Sequence, residues 1–276
     1  MILLLVRLSL NKERVLRNNL KIKTIFCIAL LTLCNSVGTA QGLFTSEREV
    51  LRQSRLQWLT MKRDIPRPGN PYVQPFVECV SYGIIRTLEE PYASMDWEII
   101  VFDGEALNAF AMPGGKIGVY TGIFTVADTP DALAAVIGHE IAHLTEDHVM
   151  QRARRGTLNS LATILGTNVV RGFGNEVRQG VQIGLSLPFN RQQEIEADIV
   201  GLDYMARAGF DPRSSIKLWK NMVEDREGPN PPEFLSTHPA DDRRMNELIR
   251  NMVSALIVSN ETHEQGQAID CSHTLP

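Results

Sequence analysis

The sequence predicts a helix-dominated α+β fold in which a small, mainly antiparallel sheet sits beside a buried metal-binding helix. Three observations carry that prediction. Residues 138–144 read Gly-His-Glu-Ile-Ala-His-Leu, an apolar helix with two histidines four positions apart. Residues 97–123 hold three short β-type runs, separated by Asp103-Gly104 and Pro113-Gly114-Gly115. Residues 190–208 form a second capped helix with an acidic start.

Taken in order, the chain begins with an export signal. Lys21 and Lys23 precede an apolar run from Ile25 to Leu33, and the small residues Gly38 and Ala40 follow. That is a basic region, a short hydrophobic core and a cleavage site after Ala40. Cys34 offers lipidation as the alternative, with the large Leu33 against it. The run is too short for a comfortable membrane span. Residues 1–40 hold six basic residues and one acid; the remainder has 22 basic and 31 acidic residues, a charge of −9. Such a balance argues against nucleic acid as a partner. Apolar content of 43% and charged content of 22% exclude general disorder. Cys79 and Cys271 remain after removal of the signal, either as one disulfide or as two unpaired thiols.

Residues 44–63 read as a polar helix, ended by Pro66, Pro68, Gly69 and Pro71. Residues 72–88 place Val73, Phe76, Val77, Val80, Ile84 and Ile85 on one helical face. Residues 97–102, 108–112 and 116–123 are the three strands. A strand at the rim of a cleft can pair with an extended peptide, although a plain structural meander fits the pattern equally. Thr129 then caps the motif helix, with Pro130 at its first position and Asp131 at its positive end. This helix is read as continuing through Glu146 and His148 to Arg155. His148, nine positions past His139, would lie about half a turn away and face solvent.

Residues 157–186 are a flap or two ordinary helices. Asn190 with Gln193 forms a capping box for a helix that stops at Gly209, with Pro212 beyond. A further amphipathic helix covers 212–222, with Ile216, Leu218 and Trp219. The last helix spans about 241–258, and the tail 259–276, with His263 and His273, reads as irregular.

The chemistry follows from residue type and spacing. His139 and His143 stand one turn apart on a helix, so both imidazoles can bind one Zn²⁺, with Glu140 beside them as general base. Catalytic zinc takes a third protein ligand. Glu194 fits, because Asp198 one turn later can orient a ligand imidazole; Glu196 is the competing choice, on another face. A donor is also needed where negative charge develops on a carbonyl oxygen, and His238 is the best remaining histidine.

Together GHEIAHL (138–144), EIEAD (194–198), NAFAMPGG (108–115) and STHPADDRR (236–244) resemble the gluzincin peptidases that include HtpX, the CAAX prenyl protease and the mitochondrial Oma-type protease. The resemblance covers roughly 70–255 and extends to exported bacterial relatives that help maintain the outer membrane. It implies a zincin fold with one zinc per chain on His139, His143 and Glu194, Glu140 as acid/base and Asp198 as buttress. It also implies that Asn108, Ala109, Phe110, Ala111 and Met112 line the substrate cleft. His238 with Arg244 would stabilise the tetrahedral intermediate; in some relatives the matching histidine is a reversible fourth ligand, and both roles stay open here. The chain departs from HtpX and the prenyl protease in lacking their multiple membrane spans.

The resulting expectation has four parts: extension and signal peptide (1–40), helical lead-in and linker (41–69), zinc metallopeptidase domain (70–258) and polar tail (259–276). The protein would be a periplasmic endopeptidase acting on misfolded or misassembled envelope proteins. Its expected partners are assembly machinery or a chaperone, and it would meet the membrane through its N-terminus. Two rivals are an assembly factor with a structural zinc and a hydrolase of non-peptide amides.

Overall fold

Ser46 opens the first described helix by accepting a hydrogen bond from the Glu49 amide, so α1 runs Glu47–Asp64. The computed structural model describes residues 46–155, 189–224, 233–239 and 241–272. The expected signal peptide and the 157–186 segment lie outside these residues.

After α1 come α2 (Val73–Ile85), β1 (Glu98–Phe102), β2 (Ala109–Met112), β3 (Lys116–Tyr120) and a 3₁₀ turn at Thr121–Thr125. Next are α3 (Pro130–Thr145), α4 (His148–Arg155), α5 (Arg191–Arg207), α6 (Arg213–Glu224), a short α7 (Glu233–Thr237) and α8 (Asp242–Glu264). Helices dominate, as the sequence implies.

The sheet is mixed rather than mainly antiparallel. Its order is β1-β3-β2, with β3 antiparallel to β2 and parallel to β1. Gly114 and Gly115, at φ 89° and 71°, turn β2 back tightly into β3. The returning strand takes the central place, which aligns it with β1. Alternation within a strand reveals its faces but not its neighbours, so the order was not legible from the pattern.

Both faces of this sheet are covered. Ile99, Val101, Ala109, Ala111, Ile117 and Val119 join the main core with α2 and α3. The alternate residues Ile100, Phe102, Phe110, Met112 and Tyr120 form a second cluster with Trp58, Met61 and Ile65. Trp58 meets the Phe102 and Phe110 rings edge-on and donates its indole N–H to Glu98 at 2.7 Å. The lead-in helix is therefore the roof of the sheet.

α3 is buried on all sides from Ala132 to Leu144, and Thr129 caps it through the Ala132 amide at 3.2 Å. It stops at Thr145, short of the expected continuation. Asp147 takes φ 60°, and α4 starts afresh at His148. At the other end, α8 runs six residues past the expected Val258, with Ser259 and Thr262 buried. Cys79 and Cys271 form a disulfide that ties the segment after α8 to α2. Among the described residues no helix is long and apolar enough to cross a membrane.

Candidate metal centre

α3 places His139 and His143 on one face, with their Nε2 atoms 3.1 Å apart. The Asn190–Gln193 capping box fixes where α5 starts and sets Glu194 in its first turn. Glu194 Oε2 lies 3.5 Å from His139 Nε2, and Oε1 lies 3.5 Å from His143 Nε2. α7 leads into His238, whose amide donates to Phe234 O at 2.8 Å and whose ring stacks on Phe234. His238 Nδ1 sits 3.1 Å from both His139 Nε2 and Glu194 Oε1. The four residues are buried, and one donor atom from each falls within 4.8 Å of all the others.

Asp198, one turn along α5 from Glu194, holds its Oδ1 3.0 Å from His139 Nδ1. Arg244 at the start of α8 grips Asp198 with two contacts of 2.7 Å and reaches Glu194 Oε2 at 2.6 Å. Its guanidinium carbon lies 3.9 Å from the centre of the Trp219 ring. Burial favours the neutral acids, but hydrogen bonds and electrostatic attraction from their partners outweigh it. His238, His139 and His143 hold the Glu194 carboxyl far below its usual range, and Arg244 leads the lowering of Asp198. Burial opposes charge on His139 too, yet Asp198 and Glu194 push it up to about 9. Burial drives His143 well below the usual histidine value, so its ring is neutral.

Glu140 is buried beside this cluster. Its Oε1 lies 3.3 Å from His238 Nε2 yet makes no hydrogen bond. Burial raises its carboxyl above the ordinary value; His238, His139 and the Ala111 backbone N–H act in the opposite sense. That amide belongs to β2. The Tyr120 N–H bonds Asn108 O, which makes 108/120 a hydrogen-bonded pair. Antiparallel alternation then turns the Ala109 and Ala111 backbone groups away from β3. Asn108, Ala109, Phe110, Ala111 and Met112, the residues expected to line a substrate cleft, are all buried.

Arg244, expected beside His238 at a developing oxyanion, has its guanidinium against Asp198, Glu194 and the Pro239 carbonyl. His148, read as a solvent-facing histidine, is 1% exposed with its Nδ1 3.0 Å from His143 Nδ1. The turn at Asp147 brings it back, where a continuous helix would carry it away. Glu196 meets His148 Nε2 at 3.2 Å rather than joining the donor cluster. Phe189 stacks flat on His143 at 3.7 Å, and Trp219 lies beneath Arg244. Nothing in the local sequence signals these last two placements.

The donor set fits zinc. Three imidazole nitrogens and a carboxylate oxygen suit its tetrahedral preference, whereas Ca²⁺ and Mg²⁺ call for oxygen ligands. Ring nitrogens 3.1 Å apart cannot all turn lone pairs toward one point without repulsion, and one divalent cation satisfies every one.

A helix-borne His-Glu-x-x-His joined by a carboxylate from a second helix defines the gluzincin class of metallopeptidases. Within that class the chain belongs to peptidase family M48, whose family model matches residues 71–251. It is 38% identical over 188 residues to the mitochondrial metalloendopeptidase OMA1 of Saccharomyces cerevisiae, covering 64% of this chain and 51% of that protein. The mitochondrial metalloendopeptidase OMA1 of Bos taurus is 33% identical, covering 59% and 34% respectively. The beta-barrel assembly-enhancing protease of Escherichia coli is 24% identical, covering 76% and 45%. The chain thus spans about half or less of the length of these relatives.

Proposed function

We propose that the protein is a zinc-dependent endopeptidase of the bacterial cell envelope, cleaving misfolded or misassembled proteins. The carrying observation is the convergence of His139, His143, Glu194 and His238 donor atoms within 4.8 Å, beside Glu140. His139, His143 and Glu194 would hold one zinc, with Asp198 orienting His139. Arg244 is a positioning residue that locks the two α5 carboxylates. When bound, the metal supplies Lewis acidity, acidifying water and polarising a carbonyl.

Glu140 accepts the proton of the attacking water and passes it to the departing amine as the C–N bond breaks. The products are a carboxylate and an amine, and Glu140 is restored. The outward backbone groups of Ala109 and the Ala111 carbonyl would pair with an extended substrate, a mode that calls on main chain more than on side chains and so suits unfolded polypeptides. In the resting state His238 is a fourth donor, because its Nδ1 faces the donor cluster and its Nε2 faces Glu140.

Export is supported by the basic and apolar run at 21–33 and by the Cys79–Cys271 disulfide, which suits an oxidising compartment. The name of the E. coli relative supports envelope substrates and contact with assembly machinery. Membrane association would come through the N-terminal residues.

Casein digestion by the parent and by His238→Ala, each with and without a chelator, tests the reading against Glu140→Gln. Cleavage should require metal and vanish in Glu140→Gln while zinc stays at one per chain. Cleavage surviving metal removal, or surviving in Glu140→Gln, overturns it.

A further inference from the structure

The two histidines of the motif are backed differently. Behind His139 stands a carboxylate, Asp198, with its Oδ1 3.0 Å from Nδ1. Behind His143 stands another imidazole: His148 Nδ1 lies 3.0 Å from His143 Nδ1, and His148 Nε2 lies 3.2 Å from Glu196 Oε2. His148 is 1% exposed, whereas the Glu196 side chain is 47% exposed, so the chain of contacts leads from the donor cluster to the surface.

The donor and acceptor roles along that chain are fixed once His143 serves as a ligand. Its Nε2 faces Glu194 and His139, so the lone pair must be there and the proton on Nδ1. That proton is donated to His148 Nδ1. His148 therefore carries its own proton on Nε2 and donates it to Glu196 Oε2. The opposite assignment would put a proton on His143 Nε2 and forbid ligation. Phe189, 8% exposed and stacked on His143 at 3.7 Å, covers the contact from water.

We infer that His148 and Glu196 form a positioning relay that sets the tautomer and ring orientation of His143 for metal binding. The inference rests on the zinc reading above and deepens it. α5 then serves the centre three times within five residues: Glu194 at the donor cluster, Glu196 behind His143 through His148, and Asp198 behind His139. The backbone feature that permits it is Asp147 at φ 60°, which ends one helix and starts the next at His148.

The test is zinc affinity of the full chain, measured by competition with a chromophoric chelator at fixed pH, together with the visible spectrum of the cobalt-substituted protein. His148→Leu should weaken zinc binding by about 10- to 100-fold, the usual effect of losing such a partner. His148→Gln should restore most of it and a parent-like cobalt spectrum, because its amide oxygen accepts from His143 and its amide nitrogen donates to Glu196. Glu196→Ala should weaken binding in the same direction. Combined with His148→Leu it should add nothing, since the relay is already broken. Glu196 is half-exposed on a helix, so its variant decides the matter even if His148→Leu does not fold. Zinc bound by Glu196→Ala or His148→Leu as tightly as by the parent overturns the relay and leaves the metal reading standing. A parent that binds no zinc overturns the metal reading itself.

Discussion

Gly138 and Gly201 lie back to back where α3 crosses α5. A methyl group on Gly201 would stand 2.7 Å from the Gly138 carbonyl carbon, and one on Gly138 would stand 2.7 Å from the Gly201 carbonyl oxygen. Those distances are to backbone, which cannot swing aside. The close approach is what lets His139 and His143 on one helix share a point with Glu194 on the other. Gly201→Ala should therefore lose about 1–3 kcal/mol to overpacking, offset in part by the roughly 1 kcal/mol that alanine gains over glycine in a helix. It should also weaken zinc binding as the carboxylate is pushed back. Urea unfolding of the metal-free protein and zinc titration measure the two effects; a variant matching the parent in both would deny the helix spacing its role.

Arg244 meets two buried carboxylates at once, Asp198 and Glu194, and its loss would leave both without their guanidinium partner. Arg244→Met should cost about 3–5 kcal/mol near neutral pH, the scale for breaking a buried pair. Burial raises Asp198 but Arg244 lowers it further, so its folded value lies below the unfolded 3.8. A depressed acid stabilises the fold above its unfolded pKa and loses that contribution as pH falls. The gap between parent and Arg244→Met should thus be widest at neutral pH and shrink under acidification below about 4. Unfolding free energies at several pH values check this, and a gap independent of pH would contradict it.

Much of the centre is legible because its determinants are local. Thr129, Asn190 and Gln193 announce two helix starts. The spacing of His139 with His143, and of Glu194 with Asp198, then names the faces that must meet. His148 is illegible for the opposite reason: its place depends on one backbone state, φ 60° at Asp147, that no neighbouring glycine or asparagine signals. Trp58 roofs the sheet, and β3 enters between β1 and β2, through tertiary contacts that a linear pattern does not encode. The extra turns of α8 were recoverable. Gly266, at φ 66° just past His263 and Glu264, is an ordinary helix-stop signal that outweighs the polar look of residues 259–264.

Glu140 works as a base only when ionised. Burial lifts its carboxyl above the ordinary 4.5, Glu194 adds to the lift, and His238, His139 and the Ala111 amide only partly oppose it. In the metal-free protein that carboxyl should accordingly titrate above 4.5, and the transition should be missing from Glu140→Gln. NMR titration of carboxyl-labelled glutamate in the metal-free chain reports it, and a Glu140 carboxyl titrating at or below 4.5 would contradict the effect of burial. A divalent cation bound beside it pulls the value down, so the acid limb of kcat/KM of the zinc-loaded enzyme should fall below the metal-free value.

His238 touches both halves of the proposed chemistry: Nδ1 lies 3.1 Å from His139 Nε2 and Glu194 Oε1, and Nε2 lies 3.3 Å from Glu140 Oε1. A ring so placed blocks the approach of water to the donor cluster and crowds the base that must act on it. His238→Ala should therefore raise peptide hydrolysis several-fold over the parent while leaving zinc at one per chain, because three donors remain on two rigid helices. An oxyanion-stabilising role predicts the reverse, a loss of roughly 10²- to 10³-fold in kcat. Initial rates on a short fluorogenic peptide distinguish the two, since a small substrate is insensitive to unfolding steps that precede cleavage. A rate increase assigns His238 to holding the enzyme idle until something draws the loop after α7 away; a large decrease assigns it to the transition state and removes the resting-state role.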